Sequence, residues 1–208
     1  MRKILLIIFM FILVFIIYYL NLDKKIFVFS IGDYITIENN QNIYQDIDNY
    51  LGKNLEKNIV YGNDGDYRII DLINDIKNNK SFNYKNKEYT INNSLIKADI
   101  ILLSIGMNDL RFNKNNDNYD YVDEVIKDLD KLLKIIRKYC KEKIYIFNYY
   151  NLGSSELTSY VNNRLEKVVN RYNVNIIDIS YINSNEFDRV DYDNISKKIK
   201  KYLNKFNN

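Results

Sequence analysis

Between residues 98 and 105 the chain reads Ala-Asp-Ile-Ile-Leu-Leu-Ser-Ile, and it runs straight into Gly106-Met107-Asn108-Asp109. A short, continuous apolar run is what a strand buried on both faces needs; a strand with one wet face would alternate. Such a strand belongs in a parallel sheet with helices on both sides. The rest of the chain supplies the partners. Lys25–Ile31, Asn58–Tyr61, Lys143–Asn148 and Val174–Ile179 read as further strands. Ile43–Leu55, Arg68–Ile76, Tyr121–Cys140, Glu156–Tyr172 and Asn194–Phe206 carry apolar residues at helical spacing. The clearest is 121–140, where Val122, Val125, Ile126, Leu129, Leu132, Leu133 and Ile136 keep the 3.6-residue period. Strand and helix alternate, so the class is α/β, and ligands in such folds bind beyond the C-terminal ends of the strands. Residues 78–96 and 111–119 are rich in Asn and Lys and read as surface loops or a small insertion.

The N-terminus is of another kind. From Ile4 to Leu20 every residue is apolar or aromatic. As a helix that run is about 25 Å long, enough to cross a bilayer core. Arg2 and Lys3 precede it, which places the N-terminus in the cytoplasm by the positive-inside rule. Asn-Leu-Asp-Lys-Lys follows, with no small-residue cleavage site and no lipidated cysteine, so an uncleaved anchor is expected over a signal peptide. A buried helix of a soluble domain would need a polar face, and this one has none. The expected organisation is a signal anchor or transmembrane helix over 1–24. One domain over 25–208 follows, on the extracytoplasmic side of the cell membrane as a single-pass protein.

Composition removes several chemistries. The chain has no histidine, so imidazole is neither a base nor a metal ligand here. It has one cysteine, Cys140, so an intrachain disulfide and a four-cysteine zinc site are excluded. Cys140 falls on the apolar face of its helix and reads as a small core residue. The net charge of +3 includes Arg2 and Lys3, so the remainder is near neutral and nucleic acid is not an expected partner. The Lys-rich C-terminal helix reads as a solvated face.

Two strand ends carry the chemical signal. The first strand ends in Ser30-Ile31-Gly32-Asp33-Tyr34, and the third in Ser104-Ile105-Gly106-Met107-Asn108-Asp109; Asp188-Arg189-Val190-Asp191 precedes the last helix. Together, in this order and spacing, they resemble the SGNH hydrolases, the GDSL lipase/esterase family. The resemblance covers residues 25–206. It implies a three-layer α/β/α sandwich with a parallel, flavodoxin-like five-stranded sheet. It places Tyr34 at the nucleophile position, Asp188 at that of the triad acid and Asp191 at that of the base. Gly106, Asn108 and Gly65 stand where the oxyanion hole forms, with the register there open by one residue between Gly65 and Asp66. Gly32, Asp33 and Asp109 support the site. No cofactor is implied.

The departures from that pattern decide the chemistry. The family's serine is Tyr34 and its histidine is Asp191. A phenol has an ordinary pKa near 10, and its oxygen overshoots the point where a carbonyl carbon meets the oxyanion donors. A carboxylate is a weak base at neutral pH and cannot relay as imidazole does; two carboxylates three residues apart repel or share a proton. Loss of triad members leaves only the oxyanion hole and binding. Tyr34 reads equally as an aromatic cap filling the cleft. Asn108 and Asp109 are either turn and helix-cap residues or retained binding groups. Asp188 and Asp191 read as surface acids ahead of a helix, favoured by its positive end. Asp33, Asp188 and Asp191, with Asn108, also form a candidate oxygen-ligand set for Ca²⁺ or Mg²⁺. The expected function is a membrane-anchored SGNH-like pseudoenzyme that binds an acylated glycan or lipid at the envelope. The alternative is an active esterase working by an altered, metal-assisted route.

Overall fold

β5 (Ile100–Ser104) lies at the centre of the sheet, and every one of its residues is buried. The structure is a computed structural model that describes residues 2–21, 25–33, 41–62, 66–112, 119–182 and 189–204. In chain order its elements begin with α1 (Arg2–Asn21), β1 (Ile26–Gly32), α2 (Gln41–Leu51), a 3₁₀ turn (Gly52–Asn54), β2 (Leu55–Gly62) and α3 (Ile69–Lys77). A hairpin follows, β3 (Ser81–Tyr84) and β4 (Lys87–Thr90), then α4 (Ile91–Lys97), β5 and α5 (Met107–Phe112). The last third is α6 (Asp120–Tyr139), β6 (Lys143–Phe147), α7 (Ser155–Arg171), β7 (Val174–Ile177) and α8 (Arg189–Leu203).

The five long strands form one parallel sheet in the order β2-β1-β5-β6-β7. β1 and β5, flanked on both sides, are buried along their whole length, as their apolar runs require. Crossovers between parallel strands are right-handed, so connections that step in opposite directions place their helices on opposite faces. α2 accordingly packs on α8, whereas α3, α6 and α7 pack together. α6 shows why: Val122, Val125, Ile126, Leu129, Leu132, Leu133 and Ile136 are buried along one stripe.

The segment 78–96 is more ordered than its composition suggests. It forms the β3–β4 hairpin and α4, with Lys85 and Asn86 both at positive φ (49° and 61°) in a two-residue turn. Phe82 is the anchor, its ring 4.8 Å from that of Tyr61 and 6.1 Å from that of Phe29. The last helix also differs from expectation. It starts at Arg189, so Asp191 sits inside its first turn and not ahead of it.

α1 contains the apolar run. Its side chains described at 7–16 are all exposed, from 43% at Leu13 to 73% at Phe11. Among the described residues no helix is long and apolar enough to cross a membrane; of α1, the side chains beyond 7–16 are outside that description.

Candidate functional site

The sheet order reverses between β1 and β5, so the crevice at their C-terminal ends is where an open α/β sheet takes a ligand. Gly32 and Ser104, the last residues of those strands, are paired neighbours. Gly32 has φ +136°, and a Cβ there would lie 1.7 Å from the Ser104 carbonyl oxygen. Glycine therefore lets the two strand ends touch. The contact is then sealed twice. The Asp33 amide donates to the Ser104 carbonyl at 2.6 Å, and the Ser104 hydroxyl donates to Asp33 Oδ1 at 2.7 Å.

Asp33 is 1% exposed. Burial pushes its carboxyl from the usual carboxylate range up to about 6, against the opposing pull of the Ser104 hydroxyl and the Met107 backbone N–H. Asp109 is also raised by burial, while it accepts the Ile69 amide at 3.1 Å. That bond satisfies a free N–H in the first turn of α3. Asn108 acts beside it, donating its side-chain amide to the Tyr67 carbonyl at 2.9 Å. Asn108 and Asp109 thus stitch the β5–α5 connection to the segment that enters α3.

Gly106 has φ +99°, and a Cβ there would lie 2.5 Å from the Tyr149 hydroxyl. Tyr149 is 2% exposed and donates to the Ile105 carbonyl at 3.2 Å. Burial raises its phenol well above the usual tyrosine range. With Asp33, Ser104, Met107, Phe147 and Tyr150 it encloses a cavity of about 10 Å³, room for one water at most. Tyr149 was not singled out by sequence reasoning; its place directly after an apolar strand was the one available signal.

Asn148, the residue before it, connects this cavity to the β7 side. Its side chain donates to Asp178 at 2.8 Å and accepts the Ile179 amide at 2.7 Å. Burial alone would raise the Asp178 carboxyl, but hydrogen bonds from Ser180 and Asn148 outweigh it and hold that group below its ordinary value. Beyond Asn148 opens a hollow of about 370 Å³ lined by Asn151, Ser154, Thr158, Asn162 and Ser180 among others, with no charged side chain in its lining among the described residues.

The structure brings Gly32, Asp33, Gly106, Asn108 and Asp109 to one crevice. Tyr34, Gly65 and Asp188 lie outside the described residues, and Asp191 is half-buried in the first turn of α8. Among the described residues no three acidic, histidine or cysteine side chains are grouped to hold a metal, and Asp188 of the candidate set Asp33, Asp188 and Asp191 is not one of them.

Solved structures share this architecture across most of the chain. The lipase Lip_vut3 from a goat rumen metagenome matches with a TM-score of 0.63 at 17% identity, covering 85% of this chain and 97% of its own. A member of the lipolytic G-D-S-L family from Veillonella parvula matches with a TM-score of 0.60 at 17% identity, with the same 85% and 97% coverage. The chain has the SGNH hydrolase fold. An acetyl xylan esterase matches with a TM-score of 0.50 at 16% identity, covering 85% of this chain and 83% of its own. No protein-family model matches the sequence, and no curated protein does. At these identities the likeness concerns the SGNH fold and not the activity.

Proposed function

We propose that this protein is a membrane-anchored, extracytoplasmic binding module on an SGNH scaffold that has lost the Ser-His esterase mechanism. Its ligand is an acylated glycan or lipid of the cell envelope. The observation that carries the reading is the use of Asn108: the amide expected to meet an oxyanion is turned to the Tyr67 carbonyl. One of the two N–H donors of that amide is thereby committed to holding a loop, which leaves less to meet a developing negative charge. Three further facts support it. The chain has no histidine to act as base. The hydroxyl joined to the Asp33 carboxylate in the crevice, that of Ser104, is 5% exposed and faces a cavity of about 10 Å³. The adjoining hollow of about 370 Å³ is lined by amides and hydroxyls, the neutral donors and acceptors that suit a polyhydroxylated ligand. Anchoring through residues 1–24 is supported by the apolar run and the exposed side chains at 7–16 of α1.

The test is hydrolysis of p-nitrophenyl acetate by the full chain in detergent micelles, with added Ca²⁺ or Mg²⁺ and with EDTA. The expected rate equals that of Asn108→Ala in every condition. Metal-independent turnover well above the Asn108→Ala rate overturns the reading. So does turnover that EDTA and Asp191→Ala both abolish, which would establish a metal-assisted esterase.

A further inference from the structure

Lysines gather at one edge of the sheet, although the charges of the body sum to near zero. At the edge where the strands begin, Lys25, Lys53, Lys57, Lys97, Lys141 and Lys143 are all exposed. Glu56, Glu88, Asp99 and Glu142 stand among them; Glu56 lies 3.3 Å from the Lys57 ammonium, and Asp99 accepts the Phe27 amide at 2.9 Å. At the edge where the strands end stand Asp33, Asp66, Asp109, Asp178 and Asp191, beside the cations Arg68, Arg111 and Lys198, the last of which donates to the Asp178 carbonyl. Helix C-termini attract cations and account for Lys97. They do not account for Lys25, Lys53, Lys57 or Lys143, which lie outside the α-helices.

Two more features share the basic edge. Lys57 and Lys97, with Glu88, Phe27 and Ser94, line one hollow of about 440 Å³. Beside Lys97, Ile96 is 59% exposed, an aliphatic side chain in open solvent. α1 also leaves the body here: it ends at Asn21 and β1 begins at Ile26, a span of at most about 18 Å. Lysines around an exposed aliphatic residue, at the foot of an apolar helix, match a bilayer interface, where ammonium groups meet phosphates and an alkyl group enters the acyl boundary.

We infer that the strand-start edge seats the domain on an anionic lipid surface, so that the opposite edge, with its crevice, points away from the membrane. The seating rests on the anchor reading above and adds to it a defined orientation. Lys53, Lys57, Lys97 and Lys143 meet the headgroups, and the range of the attraction is about one Debye length.

The test reads the acylation rate of each lysine by mass spectrometry, with the full chain reconstituted into vesicles. One set is phosphatidylcholine alone; the other contains about one third phosphatidylglycerol, enough anionic lipid for a negative surface potential. In the anionic vesicles the four edge lysines are expected to react at least about threefold more slowly, with the difference lost as salt screens the surface. Lys127 and Lys134, on the outer face of α6, are expected to react equally in both sets. In the triple variant Lys53→Glu, Lys57→Glu, Lys97→Glu the difference at Lys143 should vanish while the chain still floats with the vesicles. Equal rates at the edge lysines in the two vesicle sets overturn the inference, as does slowing that persists in the triple variant. Slowing by dissolved polyphosphate but not by anionic vesicles assigns the edge to a soluble polyanion and also overturns it. A chain that does not float with phosphatidylcholine vesicles overturns the anchor reading alone. The seating then stands if anionic vesicles capture the chain in a salt-reversible way and falls if they do not.

Discussion

Asp33 shows how a single residue can hold two strand ends together and still make the fold sensitive to pH. Its side chain is fully enclosed, and burial raises its carboxyl from 3.8 to about 6. In the unfolded chain the group ionises at its ordinary value, so folding favours the protonated form. Stability is therefore unpenalised below about pH 4, falls as pH rises toward about 6, and stays lower above that. The size of the fall is on the order of 3 kcal/mol, from the difference between the two values. Urea titrations at closely spaced pH should show this decline, and Asp33→Asn should remove it while keeping the Ser104 bond's acceptor. A decline of equal slope in Asp33→Asn would show that another group titrates. Gly32 sets a stricter limit. A methyl group there meets the Ser104 carbonyl, which is backbone and cannot swing aside. Gly32→Ala should lose several kcal/mol, at least about 3, read as insolubility or a collapsed urea midpoint. At this scale the motif was a good guide: Gly32-Asp33 and Gly106-x-Asn108-Asp109 converge as their order suggested. Tyr149 was not singled out because its role is set by the close approach of its hydroxyl to Gly106, a contact that its place after an apolar strand does not announce.

Elements in this fold are tied at their ends as much as along their faces. Arg137, in the last turn of α6, donates to the Tyr172 and Asn173 carbonyls beyond α7 at 2.7 and 2.6 Å, and to the Glu142 carbonyl before β6 at 2.6 Å. One guanidinium thus satisfies carbonyls that two helix ends and a strand entry leave open. Arg137→Ala should destabilise by about 1.5–3 kcal/mol, the range for hydrogen bonds to a charged group, with the part-buried bond to the Tyr172 carbonyl contributing most. Arg137→Lys should recover only part of that, because an ammonium cannot span the three acceptors in one plane. Denaturant midpoints of the two variants check both statements, and full recovery by lysine would refute the planar-fork argument. The helices and central strands were legible because their periodicity reports burial directly; α6 is observed at Asp120–Tyr139 where the spacing placed it at 121–140. The β3–β4 hairpin was not legible. Its faces are only half-buried, and its turn is Lys85-Asn86, not a glycine-containing pair. Asn and Lys are so common in this chain that a turn signal made of them carries little weight.

On the scale of the whole molecule, one continuous core should make the body open as a unit. Buried residues on both faces of the sheet, from Ile26 to Leu203, form a single cluster, and helices on either side rest on the same five strands. Cys140 is a natural reporter of that cooperativity. It is the chain's one cysteine, 1% exposed, with its sulfur 3.8 Å from the Ala98 carbonyl between α4 and β5. Burial also raises its thiol, which lowers the reactive thiolate fraction in the native state. A thiol reagent must therefore wait for opening. If the body opens only globally, with a stability of at least about 5 kcal/mol, labelling should be slower than in the urea-unfolded chain by at least roughly four-thousand-fold. The free energy from labelling should then equal that from urea unfolding, and both should fall together in Arg137→Ala, since Arg137 closes the loop that covers Cys140. A labelling free energy several kcal/mol below the urea value would mean that α6 and the β6 entry open as a separate unit. Such a unit lies at the basic edge, far from the Asp33 crevice, so local opening there would leave the pH dependence set by Asp33 unchanged.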